Sequence, residues 1–137
     1  MSKIVRKLIS TNKAALPVGP YNQAVVADRT VYVSGCLGLN KDTLKLVEGG
    51  VVPQFELALK NLVAVLEGAN SGVNKVIKNT IFLKDMNDFG AVNEIYKKVF
   101  SSSFPARSCV QVACLPMDAL VEIESIALTG DVVTESS

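Results

Sequence analysis

The sequence contains no histidine. This removes Ser-His-Asp and Cys-His catalysis from within the chain, because both need an imidazole to carry the proton. It also leaves zinc poorly served. Only Cys36, Cys109 and Cys114 offer soft ligands, and their spacing fits no zinc site, so no metal is expected. Three is an odd number of cysteines, which points to reduced thiols in an intracellular compartment rather than a disulfide framework. No N-x-[ST] acceptor occurs, and no apolar run is long enough to cross a bilayer. The start, "MSKIVRKLIS", is basic but lacks the apolar stretch of a secretory signal. An excess of one charge is missing too. Lysines and arginines number 14 against 13 acidic residues, a net charge of +1, which argues against an electrostatic nucleic-acid binder.

What remains is a chain of 137 residues, 49% hydrophobic and 20% charged. That suits a single globular domain over 1–137 with its own core, ending in a loose tail from about residue 131 to 137. "IVRKLIS" alternates roughly and predicts a first edge strand. "TNKAALPVGPYNQ" is a loop broken by Pro17, Gly19 and Pro20. Two β-rich runs, 23–27 and 30–34, flank Asp28-Arg29 at hairpin spacing, with Gly35 and Gly38 ending the second. Pro53 opens a helix whose stripe is Phe55, Leu59, Leu62, Leu66 and Ala69. "KVIKNTIFLKD" predicts a strand. Asp85 or Asn87 then caps a second helix with the stripe Phe89, Val92, Tyr96 and Val99. "ARSCVQVACL" and "ALVEIESIAL" predict two last strands, the first of them buried. The order β-β-β-α-β-α-β-β is an α+β layout in which two helices share one face of a mixed sheet. Two helices leave the other face bare, and self-association is expected to cover it.

Strand alternation puts Arg107, Cys109, Gln111 and Ala113 on one face, and Glu122 with Glu124 on one face of the next strand. An arginine fork matches a carboxylate, and an ionised glutamate takes a proton from water. Together they suit a small anionic substrate attacked by water. An ordinary ion pair between Arg107 and a glutamate, or a glutamate in solvent, accounts for the same pattern. Tyr21 reads equally as a core aromatic, an edge residue or a pocket wall. Cys109 is either a thiol activated by Arg107 or a small buried residue. Asn93 caps, reaches a loop or faces solvent. "SGCLG" has neither a P-loop lysine nor G-x-G-x-x-G spacing, so it reads first as a turn.

Four stretches carry a resemblance. "GPYNQAV" is similar to a GPY-x-QA motif. "VYVSGCLG" is similar to a strand ending SGQ-[IL]-G. "LKDMNDFGAVNEIYKKVF" is similar to a second helix, and "FPARSCVQVACLP" with "VEIESIAL" to a C-terminal signature, all in the RidA (YjgF/YER057c/UK114) family. The resemblance covers nearly the whole chain. It implies a chorismate-mutase-like fold, a homotrimer with a site at each subunit interface, and 2-iminobutanoate/2-iminopropanoate deaminase activity without metal or organic cofactor. Carried over by position, Arg107 clamps the substrate carboxylate and Glu122 holds or activates water. Cys109, Gly35, Ser34, Tyr21 and Asn93 line the pocket, some of them supplied by the neighbouring subunit. The ligand is a small 2-imino or 2-keto acid. The implied place is the cytoplasm, with nucleus and mitochondrion left open. Cys36 departs from the glutamine usual after Ser-Gly in the family. Two other readings stand beside this one: an RNA-directed translation inhibitor or ribonuclease, and a non-catalytic trimer that binds small ligands or acts as a chaperone.

Overall fold

The apolar patterns sort into six strands and two helices, described over residues 2–137 in a computed structural model. In chain order these are β1 (Arg6–Ile9), β2 (Ala24–Ala27), β3 (Thr30–Cys36), α1 (Val51–Gly68), β4 (Val76–Leu83), α2 (Phe89–Val99), β5 (Ala106–Gln111) and β6 (Val121–Leu128). The expected α+β order therefore holds. The strands form one mixed sheet in the order β1-β2-β3-β6-β4-β5. Every pair is antiparallel except β4 with β5, whose parallel connection is made by the crossover through α2.

Both helices pack on the same face of this sheet. The face is built by strand alternation: Val31, Val33, Ile81, Leu83, Val121, Ile123 and Ala127 are all buried in the main core. Against them α1 sets Phe55, Ala58, Leu59, Leu62, Val65 and Leu66, and α2 sets Val92, Ile95 and Tyr96. Burying a leucine or phenylalanine of this kind stabilises the fold by about 1.5–3 kcal/mol. The opposite face has no helix. Tyr32 and Val110 stand 51% and 43% exposed on it, with Val25, Phe82 and Ile126 only partly covered.

Several local expectations need correction. The helix α1 starts at Val51, two residues before Pro53, which sits in the first turn where its missing N–H costs nothing. Asp85 caps a short 3-10 turn, Met86–Asp88, by accepting from the Asn87 N–H at 2.9 Å, and does not cap α2 itself. The strand β3 runs through Gly35 to Cys36 instead of ending at the glycine. The stretch "ARSCVQVACL" is regular only to Gln111, and it is not buried. It is the sheet's edge strand, paired with β4 alone, and its outward residues Ser108 and Val110 meet no covering layer.

Buried amides tie the long loop before β2 to the core. Gln23 accepts from the Thr11 N–H at 2.7 Å and donates to the Thr11 and Ala15 carbonyls at 3.1 and 2.9 Å. From α1, Asn61 accepts from the Ala15 N–H at 3.2 Å and donates to the Leu37 and Leu39 carbonyls, both at 3.0 Å. One side chain thus holds two separate loops. Replacing it by an apolar residue of similar size leaves those backbone groups without partners, at about 1–3 kcal/mol for each group left unsatisfied. Asn61→Leu is expected to lower unfolding stability by about 3 kcal/mol or more in urea denaturation. An unchanged midpoint would show that water replaces the amide.

Candidate active site

The cavity beside β3 and β6 starts from a β-bulge. Val33 pairs with Ser125 and Cys36 with Ile123, so three steps along β3 match two along β6. The extra residue breaks the alternation and bends the strand. Its effect is to return Cys36 to the core while laying the Gly35 backbone against the side chain of Glu122. A Cβ at position 35 would lie 2.6 Å from Glu122 Cδ and 2.7 Å from its Oε2. Only a glycine lets the carboxylate approach that closely. Ser34 is anchored next to it: its Oγ donates to the Asn22 carbonyl at 2.7 Å, and its N–H donates to the Gln23 carbonyl at 3.0 Å.

Glu122 and Glu124 line this cavity of about 480 Å³ together with Tyr21, Ser34, Gly35 and apolar residues such as Leu16 and Leu37. Tyr21 is therefore a pocket wall. It is about half exposed, and its Oη accepts from the Val18 N–H at 3.3 Å. The cavity changes the acidity of its groups. Burial, and next the charge of Glu124, holds the Glu122 carboxyl above the usual carboxylate range. Burial, and then the charge of Glu122, pushes the Cys36 thiol up to about 12.

A second recess forms at the far edge of the sheet. Arg107, near the start of β5, lines it with Asn93, Tyr96, Lys97, Phe104 and Pro105. Its guanidinium carbon stands 4.7 Å from the ring centroid of Tyr96 and 5.6 Å from that of Phe89, both cation–π distances. Its Nη1 donates to Asn93 Oδ1 at 2.8 Å. The three α2 residues lie three or four apart and so share one helix face. Among the described residues the ion pairs are Lys84–Asp118 and Lys97–Glu94, and Arg107 belongs to neither. One of its five N–H donors is used on Asn93, leaving a fork open to an anion.

The structure thus divides the expected site residues into two groups. Tyr21, Ser34, Gly35 and Glu122 meet in the cavity, while Arg107 and Asn93 meet at the β5 edge, with Cys109 two residues along the same strand face. The register explains the division. Asn79 of β4 pairs with both Arg107 and Ser125, a row on the helix side. Phe82 pairs with both Val110 and Glu122, a row on the bare side. Arg107 and Glu122 consequently point from opposite faces of one sheet, which rules out the ion pair between them within a chain. The acidity of Cys109 runs against its reading as a thiol activated by Arg107. Burial raises its pKa and outweighs the lowering by Arg107.

Several residues outside the expected site also shape these recesses. Glu124 was visible in the alternation of "VEIES". Tyr96 falls on a helix stripe, a pattern that says nothing of its contact with Arg107. Gln23 and Asn61 carry no local signal, because their partners are 8–46 residues away.

The comparisons with known proteins are extensive. The profile of the family described as Endoribonuclease L-PSP matches residues 11–129. Among curated relatives, the "RutC family protein UK114" of Drosophila melanogaster is 75% identical over 136 residues, 99% of each chain. The mouse "2-iminobutanoate/2-iminopropanoate deaminase" is 55% identical over 130 residues, covering 95% of this chain and 96% of that one. Among solved structures, Escherichia coli TdcF with bound serine superimposes with a TM-score of 0.86 at 39% identity, covering 90% of this chain and 99% of that one.

The acidity pattern yields a direct check. With iodoacetamide at pH 8, Cys36 is expected to be the slowest of the three cysteines to alkylate, and to react fully only after denaturation, because its thiol is buried and its pKa stands near 12. Peptide mapping by mass spectrometry reads the order. Rapid native labelling of Cys36 would mean that the bulge does not bury it.

Proposed function

The chain belongs to the Endoribonuclease L-PSP family, the RidA family that its motifs resemble, and from that premise we propose that it hydrolyses small 2-imino acids to 2-keto acids and ammonia. Curated relatives 47–55% identical to it carry the name 2-iminobutanoate/2-iminopropanoate deaminase, which supports this activity. The observation that carries the reading is the pairing of an arginine free of acidic partners with a glutamate of raised pKa, held on opposite faces of one sheet. A substrate with a carboxylate and an adjacent electrophilic carbon uses both. A site containing both takes two copies of the chain, the edge recess of one meeting the cavity of the next. That requirement, with the bare apolar face, supports a closed ring of identical subunits, a homotrimer. The serine bound in TdcF also carries a carboxylate, in keeping with such a ligand here.

The chemistry follows from the residues. Arg107 pairs with the substrate carboxylate. Glu122 accepts a proton as water adds to the C=N carbon, giving a tetrahedral carbinolamine. On the protonated imine this leaves a neutral carbinolamine; the same carboxyl then returns the proton to nitrogen, the carbinol O–H passes its proton back to the carboxylate as the C–N bond breaks, and ammonia leaves as the C=O forms. A carboxylate held above its usual range is a stronger base than an ordinary glutamate, and as an acid it works nearer neutral pH. Metal and organic cofactor have no step in this scheme. Three free cysteines suit a reducing compartment, which supports the cytoplasm. The family's ribonuclease description finds less support in this chain, which has no histidine and a net charge of only +1.

Three outcomes are expected. Arg107→Ala abolishes accelerated hydrolysis of 2-iminobutanoate in a coupled threonine dehydratase assay, where the imine stays far below the raised KM, and leaves the mass in light scattering at three chains. Retained turnover would remove the clamp. Mixing Arg107→Ala subunits with Glu122→Gln subunits, each inactive alone, restores about a quarter of the wild-type rate, the share of interfaces that receive both native residues under random assembly. No recovery after verified exchange would place the site within one chain. Finally, the rate falls as pH drops through the Glu122 pKa, because the base must be ionised. That acid limb lies above the about 4.3 of a free glutamate and disappears in Glu122→Gln. A limb at or below 4.3 would assign the proton to another group.

A further inference from the structure

A polar chain runs through the core beneath Arg107. Val33, Ser125, Asn79 and Arg107 form one cross-strand row on the helix face, spanning β3, β6, β4 and β5. Within it Ser125 Oγ donates to Asn79 Oδ1, and Asn79 Nδ2 donates to Tyr96 Oη at 3.0 Å. Asn79 is 0% exposed, Ser125 2% and Tyr96 6%. The Tyr96 ring stacks on Phe100 at 4.7 Å between centroids and carries the Arg107 guanidinium at 4.7 Å.

Such a chain is costly where it stands. A leucine at position 79 would fill a core site without stripping an amide of water. What the amide adds is direction. A phenylalanine ring at 96 would offer the same stacking surface with nothing to fix its position against the sheet. The hydroxyl bond ties the ring, and so the guanidinium above it, to the middle of β4. Asn93, one helical turn before Tyr96, holds the other side of the fork. The arginine is therefore registered against both the sheet and α2.

We propose that Ser125, Asn79 and Tyr96 are positioning residues that hold the Arg107 guanidinium in place for carboxylate capture. The proposal rests on the reading of Arg107 as the carboxylate clamp. A clamp on a part of the substrate that does not react binds ground state and transition state alike, so loosening it raises KM and leaves kcat nearly unchanged.

The test measures 2-ketobutanoate binding by calorimetry, together with kcat and KM for 2-iminobutanoate, in the full-length assembled protein. Tyr96→Phe and Ser125→Ala are each expected to raise KM and the keto-acid Kd about three- to tenfold, with kcat within about twofold. Val92→Ala, which opens a hole one turn before Tyr96 but removes no hydrogen bond of the chain, lowers Tm but leaves Kd unchanged. Should Ser125→Ala fail to fold, Tyr96→Phe, which keeps the ring, carries the test. Unchanged Kd in Tyr96→Phe, with binding lost in Arg107→Ala, overturns the positioning role and keeps the clamp. Weakening in Val92→Ala equal to that in Tyr96→Phe overturns it as well, since general softening then explains both. Unchanged Kd in Arg107→Ala overturns the clamp itself and this proposal with it.

Discussion

The register of β4 between β5 and β6 decides which faces of the sheet Arg107, Asn79, Glu122 and Glu124 occupy. A strand turns alternate residues to opposite faces, so a slip of one residue would send Arg107 to the bare face and Ser108 to the core. That register is fixed on both sides. Toward the helices, Asn79, Ile81 and Leu83 are fully buried, and moving them outward would expose large apolar surface. On the other side, Glu122 and Glu124 remain where water or a cavity can solvate them. Burying two carboxylates in the core instead would cost several kcal/mol for each.

Four buried amides, Gln23, Gln54, Asn61 and Asn79, perform related tasks at different places. Gln54 accepts from the Leu120 N–H at 2.9 Å, just before β6 begins. Gln23 and Asn61 set the loop that walls the cavity, and Asn79 reaches toward the arginine recess. No side-chain polar atom buried among the described residues lacks a partner. Apolar packing alone tolerates small sliding movements of loops and helices. Directional hydrogen bonds do not, which explains why they gather around the two recesses.

Glu122 owes its character to its neighbours more than to itself. The bulge in β3 brings Gly35 under the carboxylate, the cavity walls remove water from it, and Glu124 adds a like charge close by. The burial and then the like charge both raise its affinity for a proton. Burial, and then the same carboxylate, raises the Cys36 thiol, so that cysteine stays protonated and packs as a small apolar side chain. Its one side-chain hydrogen bond is local, Sγ donating to the Ser34 carbonyl at 3.5 Å.

Element types were legible from the sequence because period 2 and period 3.6 are local properties: the α1 stripe is buried, as are Val92 and Tyr96 of the α2 stripe, while Phe89 and Val99 are half-buried and Ile95 joins the core in their place. The pairing of Glu122 with Glu124, and the candidacy of Arg107, were legible for the same reason. The edge position of β5 was not legible, because apolar composition does not tell an edge strand from a central one. Nor was the bulge at Gly35, which needs a neighbouring strand to be defined at all. Sequence alternation assigns a residue to one of two faces of its own strand. Only hydrogen bonding between strands decides which faces of different strands coincide. That is why Arg107 and Glu122 looked like companions in the sequence and stand on opposite sides of the folded sheet.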